Sequence, residues 1–593
     1  MDTAETKTAP RETAVNQWIA LISKVAPFSY LSEEELVEVA DSFTWFTALG
    51  GKTIIQQGDL SDELYIVVSG ALGVYVRFGE APERFVARIG PGETVGEMSL
   101  ISGEPRSASV RCLRDAELLC IARKDWEAFT RRHPDAVLAI TKLLIARLRA
   151  VQQNPGAKTL VQSLAIIPHD PEVDAQKFAQ DLCTALKLHQ SAVLISRDSA
   201  TGRSLDWFRE LETNYNIVLY LADAEPTPWT QLCLRQCDSL MLVARGEQKP
   251  ARFDALRYDS TPETIRPIDL VLLWKPGVQP TGTAGWLALH QFRMHHHVRI
   301  EKGMSDIERV ARLMLGKAVG LVLSGGGARG LAHFGVIWAL REHGIPIDMV
   351  GGTSIGAIVS AMVAQEWTRE RMVQCYKDTF TGRSPLTDFT FPSVALLSGR
   401  RVAAWLEKWL SIVNIEDLPI SFFCLSANLT AGAPAVHRRG LLTTWVRASI
   451  SIPGILPPVV DNRHIYVDGG VINNMPVDVM KATGRGKVIA VDIHSDTPFT
   501  AGEEIKAKSF LRRAKTSGPT IFQVLWRVAT INSAGSYGSA MHQPDILLKP
   551  NIGAIGLLDW RGLEGTMTSG YESIIADIER IKLKLYGTPG AAA

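Results

Sequence analysis

The chain has 593 residues, 46% hydrophobic and 21% charged, with a formal net charge of +1. That length is too great for one core and implies three or four domains at ~150 residues each. The near-neutral charge excludes a global pull toward nucleic acid or anionic membrane. No stretch reaches the ~20 apolar residues of a membrane span, and the acidic, polar N-terminus is not a signal peptide. Seven scattered cysteines form no metal-ligand pattern; Cys233 and Cys237 lack partners at matching spacing. The setting expected is reducing and cytoplasmic, with any membrane contact peripheral.

Residues 1–152 open with a capping box, Ser32 to Glu35, and a short helix. Short apolar runs then alternate with glycine turns at 52–55, 63–68, 71–76, 85–89, 107–112 and 117–121. This pattern predicts a β-roll, closed by helices from Trp126 and across 136–150. Within it lie Gly92-Glu93-Thr94-Val95-Gly96-Glu97-Met98-Ser99-Leu100 and Gly103-Glu104-Pro105-Arg106-Ser107-Ala108-Ser109. A helix start beside a guanidinium suits one compact anion, and a carboxylate suits a diol. These residues, with Gln57-Gly58-Asp59 and Ser69-Gly70, resemble the cyclic nucleotide-binding domains of the cyclic AMP receptor protein and the protein-kinase regulatory subunits. The resemblance implies that Glu97 holds a ribose hydroxyl and Arg106 the cyclic phosphate. It also implies further contacts from Gly96, Met98 and Ser107, and cyclic AMP or cyclic GMP as regulatory ligand. Ser109 leaves the choice of base open.

After Asn154-Pro155-Gly156, residues 153–305 alternate strands at 164–167, 192–196, 217–221, 240–243 and 270–273 with helices at 174–186, 205–212 and 229–235. This alternation predicts a parallel α/β domain. No turn carries a Walker lysine, so an interaction role is favoured over nucleotide hydrolysis. His290 and His295 to His297 read as a connector rather than a metal site, because neighbours on a strand alternate in direction. The charged run from Val298 to Arg312 leads into the last domain, 306–593.

There, Leu321 to Leu323 ends in Gly325-Gly326-Gly327-Ala328-Arg329-Gly330, a helix-like run follows, and a second strand ends in Gly352-Thr353-Ser354-Ile355-Gly356. A glycine loop frees N–H groups for an anion, and G-x-S-x-G lifts a serine above a sheet. The first loop with Asp348 also fits a dinucleotide fingerprint, a reading that loses to the serine turn beside it. For a base, His437, Asp461, His464 and Asp468 are candidates. Asp468 stands out at the end of an apolar strand before Gly469-Gly470, and Asn473-Asn474-Met475-Pro476 turns the chain back. His333 falls inside a helix and reads as packed.

Together these three marks resemble the patatin-like phospholipase domain, over 318–495. The domain order, the stretch Tyr215–Val243 and the His-His-His-Val-Arg lead-in resemble the neuropathy target esterase group. The fold this implies is multidomain: a β-roll with flanking helices, a parallel α/β domain, then an α/β patatin-like hydrolase. The activity implied is hydrolysis of lysophospholipid or phospholipid esters by Ser354 with Asp468 as base. Gly325, Gly326, Gly327, Ala328 and Arg329 form the oxyanion loop, and catalysis needs no cofactor or metal. Animal members carry an N-terminal span and several nucleotide domains, neither present in this sequence, so stable membrane residence is not expected and a homodimer is left open. A cyclic nucleotide-responsive binding protein with little turnover is the alternative. Large apolar groups between 387 and 409, and across 450–458, supply core and, in a lesser reading, an acyl groove or interfacial lip. Lys506–Lys515 reads as a solvated basic face.

Overall fold

The computed structural model describes residues 19–493, 542–552 and 563–587, apart from 20–21, 24, 26–27, 30, 61, 78–82, 154–161, 204, 258–265 and 381–384. The 154–156 boundary and the basic run 506–515 lie outside these residues. Two compact units form, one of residues 1–279 with 285–316, the other of 280–284 with 317–593.

In the first unit, Ser32 Oγ accepts from Glu35 N–H and Glu35 Oε2 accepts from Ser32 N–H, which starts helix Glu33–Ala40. Two four-stranded antiparallel sheets follow. One is ordered Thr44–Ala48, Ala116–Ala122, Glu63–Ser69, Thr94–Val95; the other Thr53–Ile55, Ser109–Cys112, Leu72–Val76, Arg84–Ile89. Leu64, Ile66, Leu119 and Ile121 face a core with Phe28, Trp126 and Phe129, while Val67, Leu72, Val110 and Leu118 fill the space on the other side. The alternation of the strands divides their apolar groups in this way.

The unit continues into a six-stranded parallel sheet, ordered Ala192–Ile195, Ile217–Leu221, Ser163–Pro168, Ser239–Arg245, Ile268–Trp274, Met294–Arg299. The histidine run is therefore not a connector. It forms the sixth strand, with His296 and His297 buried and Trp274 Nε1 donating to His297 Nδ1 at 3.0 Å. The charged run beyond it also differs from expectation. Helix Met304–Met314 turns Ile307, Val310, Ala311 and Met314 onto Phe178, Leu182 and their neighbours, so it closes this unit rather than opening the next. Part of its charge is internal: Arg299 and Arg309 both bind the fully buried Asp306.

The second unit holds an eight-stranded mixed sheet. Parallel strands Ser421–Asn428, Met349–Thr353, Ala318–Leu323, Gly486–Val491 and Ile546–Leu548 are extended at one edge by antiparallel His464–Asp468 and Val459–Asp461, and Ala433–His437 pairs with Ser421–Asn428. Strand Ala318–Leu323 is buried along its whole length, as its unbroken apolar run requires of a central parallel strand. The glycine loop and Ser354 both emerge from the carboxyl ends of adjacent strands, where a parallel sheet presents its loops to a ligand.

Candidate functional site

Ser354 sits at φ 57°, ψ −126°, between strand Met349–Thr353 and helix Ile355–Ala364. A non-glycine residue rarely adopts such a backbone, and at a strand-to-helix turn it points the side chain clear of both elements. The flanking glycines are required by space. A Cβ on Gly352 would lie 2.5 Å from Leu323 O, and one on Gly356 would lie 2.2 Å from the same carbonyl oxygen. The turn is thereby drawn tightly onto the neighbouring strand.

Ser354 Oγ donates to Asp468 Oδ2 at 2.7 Å. Asp468 ends strand His464–Asp468, is 2% exposed, and its Oδ1 accepts from Gly470 N–H at 2.8 Å. Burial pushes its pKa up to about 7, against the opposing pull of the Gly470 and Ser354 hydrogen bonds. The other candidate bases are occupied elsewhere. His437 Nε2 meets Ser426 Oγ at 2.7 Å and its ring stacks on Trp445, while His464 and Asp461 pair across a hairpin. His333 is fully buried, its Nε2 donates to Ser324 O at 2.9 Å, and burial lowers its pKa to about 4.

The glycine loop passes directly over the serine: a Cβ on Gly325 would lie 3.0 Å from Ser354 Cβ and 2.5 Å from Asn474 Oδ1. Gly325 N–H donates to Asn474 O at 3.3 Å, and Asn474 Nδ2 donates to Gly325 O at 3.1 Å. Gly325 thus spends its N–H inside the fold. A tight turn begins at Gly327, itself at φ 59°, and runs to Leu331, so the N–H groups of Gly327 and Ala328 have no partner within that turn. Arg329 is half-buried on the same turn, and burial lowers its pKa.

Two supports hold the serine turn, of which the sequence marked only the Asn473-Asn474 turn. Thr353 Oγ1 donates to Asn473 O at 3.1 Å, so the Asn473-Asn474 turn holds both the serine turn and the glycine loop. Ser354 N–H donates to Ser449 Oγ at 3.0 Å, and Ser449 Oγ donates to Leu425 O at 2.7 Å. Only the position of Asn473-Asn474 just after Asp468-Gly469-Gly470 could have pointed to the first; Ser449 lies in an ordinary helical run.

An apolar cavity of about 260 Å³ opens beside Ser354. One stripe of the serine helix, Ile355, Ile358, Val359 and Met362, forms one wall. Phe389, Leu396, Leu397 and Trp405, with Ile450, Ile452, Ile455 and Leu456, form much of the rest. These are the two segments in which the sequence suggested a groove.

In the first unit, Gly96 (φ 96°) precedes the short helix Glu97–Ser102. A Cβ there would lie 2.6 Å from Arg106 Nη1 and 2.7 Å from Glu63 O. Glu97 and Arg106 are both buried, while Met98 is exposed and meets Ser107 Oγ at 3.8 Å. The five predicted residues come together, with one departure. Arg106 turns inward, donating to Gly96 O and Ser99 Oγ at 2.9 Å and to Glu63 O at 2.6 Å. Ser109 Oγ accepts from Gln57 N–H at 3.1 Å.

Among the described residues no three His, Cys, Asp or Glu side chains group as a metal site, and no helix is long and apolar enough to cross a membrane. Known families match the chain in three consecutive pieces. These are the cyclic nucleotide-binding domain over 47–133, the neuropathy target esterase family P-loop-like domain over 160–319, and the patatin-like phospholipase family over 321–481. The chain carries the domain set of the neuropathy target esterase family. Human patatin-like phospholipase domain-containing protein 6 is 31% identical over 89% of this chain and 44% of its own length. Lysophospholipase nte1 of Neosartorya fischeri is 28% identical over 95% of this chain and 44% of its own. This chain therefore spans less than half the length of these relatives. Among solved structures, the Thermus thermophilus catabolite activator protein is 32% identical over 28% of this chain and 70% of its own, with a TM-score of 0.21. The family's P-loop-like piece here has His169-Asp170-Pro171-Glu172-Val173-Asp174 in the turn after its first strand, with neither the glycines nor the lysine that cradle phosphate.

Proposed function

We propose that the chain is a serine esterase of lysophospholipids or phospholipids, with Ser354 as nucleophile and Asp468 as base. The observation that carries this is the 2.7 Å hydrogen bond from Ser354 Oγ to a buried Asp468, at the mouth of an apolar cavity. Asp468 takes the hydroxyl proton as Ser354 Oγ attacks the ester carbonyl. An ordinary carboxylate is a poor base, but one raised to about 7 matches neutral pH. In this reading the N–H groups of Gly327 and Ala328, unpaired within their turn, are assigned to the developing oxyanion, and the field of helix Ile355–Ala364 favours the same charge. The alcohol leaves with the proton from Asp468, and water then hydrolyses the acyl-serine through the same base. The cavity receives the acyl chain, whose burial from water supplies binding energy of ~0.8 kcal/mol per methylene. The family matches support this reading, and so does the name lysophospholipase carried by the fungal relative.

The deciding experiment is fatty-acid release from lysophosphatidylcholine, together with fluorophosphonate labelling. Ser354→Ala abolishes both, and Asp468→Asn lowers turnover by about a thousandfold or more in a folded protein. Turnover that survives both changes would remove Ser354 and Asp468 from the mechanism.

The same proposal assigns the first domain a cyclic nucleotide as regulatory ligand, on the strength of the family match and the convergence of Gly96, Glu97 and Arg106. A cyclic phosphate must draw the Arg106 guanidinium away from Gly96 O and Glu63 O, or bind against the backbone beside it. Calorimetry of the full chain with cyclic AMP and cyclic GMP tests this, and no heat with either removes the ligand.

A further inference from the structure

Large apolar side chains are seldom held out in water on a pinned loop. Residues 388–398 do this. Phe389 bridges to Leu397, Thr390 N–H donates to Leu396 O at 3.0 Å, and Ser398 Oγ donates to Asp388 Oδ2 at 2.6 Å, which closes a hairpin. Its return limb is fixed to the cavity wall, with Leu396 N–H on Gly454 O and Leu397 N–H on Ile455 O. Its outer limb and tip are left 75% exposed at Phe389, 85% at Phe391 and 65% at Val394. Phe389 belongs to both surfaces, since it also lines the cavity beside Ser354.

We propose that hairpin 388–398 is a membrane-docking element that inserts Phe391 and Val394 into a lipid surface and delivers lipid past Phe389 to Ser354. This rests on the esterase reading for its substrate, while the docking itself is measured separately. Two observations select a lipid surface as the occupant. The exposed patch is continuous with the apolar cavity through Phe389, so an acyl chain leaving a bilayer there need not cross water. In addition, the hairpin runs into helix Arg400–Leu410, whose first two residues are exposed arginines. Cations oppose a helix dipole at that end. Asp388 stays ionised, its Oδ2 accepting from Ser398 Oγ and from Arg401 N–H at 3.1 Å, so it offsets one of the two arginines and leaves a net positive charge beside the hairpin. Phosphate headgroups supply the charge that these guanidinium groups lack, and an apolar tip flanked by cations matches the layering of an anionic interface.

The test uses the full chain and extruded vesicles of phosphatidylcholine with or without phosphatidylserine. Phe391→Ser/Val394→Ser lowers vesicle partitioning by about tenfold or more and lowers hydrolysis of vesicle-borne lipid in step. The same variant keeps wild-type hydrolysis of a dissolved short-chain p-nitrophenyl ester. Arg400→Gln/Arg401→Gln lowers binding to phosphatidylserine vesicles more than to pure phosphatidylcholine. Equal vesicle binding by wild type and the Phe391/Val394 variant overturns the proposal. So does a dimer in sedimentation that the variant dissolves without a change in vesicle binding, which would assign the hairpin to a second copy. Loss of the dissolved-ester activity in wild type would instead count against the esterase reading, since that assay involves no membrane.

Discussion

Asp468 carries two pH dependences of opposite use. As the proposed base it must be ionised, so kcat/KM should rise as pH increases through about 7 and level off above, and Ser354→Ala should remove the profile with the activity. For stability the folded carboxyl keeps its proton to about pH 7, whereas the unfolded chain releases it near 3.8. The contribution is thus complete below the lower value and is lost as pH climbs through the higher one. Asp468→Asn escapes that loss. Its melting temperature relative to wild type should increase from pH 5 to pH 8, with about 4 kcal/mol as the upper bound at pH 8. A pH-independent difference would mean that Asp468 is not desolvated as the fold implies. The pairing of Ser354 with Asp468 was legible in sequence because G-x-S-x-G and Asp-Gly-Gly are backbone requirements as well as chemistry. Ser449 was not, because one hydroxyl in a helical run leaves no pattern of its own.

At the scale of elements, the glycine loop depends on a helix contact more than two hundred residues distant in sequence. Helix Leu563–Ile575 crosses helix Ala332–Glu342 so closely that a Cβ on Gly335 would lie 2.0 Å from Met567 O, and one on Gly570 2.2 Å from Ala332 O. Gly335→Ala or Gly570→Ala must push the helices apart, costing about 1–3 kcal/mol and displacing the turn Gly327–Leu331 that precedes Ala332. Thermal unfolding and kcat should both fall. Gly565→Ala on the same helix, where nothing lies within 4 Å, should instead stabilise by about 0.5–1 kcal/mol and leave kcat alone. The serine helix carries a second prediction. Met362 lies two turns beyond Ser354 on the cavity stripe, about 12 Å along the axis. Met362→Trp therefore shortens the cavity, so turnover of long-chain esters falls severalfold relative to short-chain ones in a chain-length series. An unchanged series would place the acyl chain elsewhere. Continuous apolar runs made the strands Ile217–Leu221 and Glu63–Ser69 readable, whereas Met294–Arg299 was missed because a histidine run has no apolar signal. Burial on that strand is supplied by its neighbour, which no local window reveals.

Across the first unit, the antiparallel sheets and the parallel sheet are joined by charge as well as by apolar packing. Arg114, 3% exposed, binds Glu212 and also Asp238 at 2.9 Å; Arg88 binds Asp238 Oδ2 at 2.7 Å and Gln162 Oε1 at 2.9 Å. None of these positions announces its partner in sequence, since they are separated by 74 to 150 residues. Burial alone would raise the pKa of Asp238, but Arg88 and Arg114 outweigh it and hold the carboxyl below its usual range. Its stabilising contribution is present above the unfolded value of 3.8 and is lost as pH falls through the lower folded value. Asp238→Asn keeps the shape but leaves the half-buried Arg88 without a carboxylate and the buried Arg114 with Glu212 alone, which should cost about 3–5 kcal/mol at pH 7. The exposed pair Arg132–Glu38 provides the contrast, and Glu38→Gln should change stability by less than about 1 kcal/mol. Calorimetry of the full chain at pH 7 and pH 3 separates the two: the Asp238→Asn deficit is large at pH 7 and shrinks at pH 3, as the wild-type carboxylate approaches its own protonation. Were the deficit small at pH 7, the join would rest on apolar packing, and a nucleotide signal could not be carried through Arg88 and Arg114.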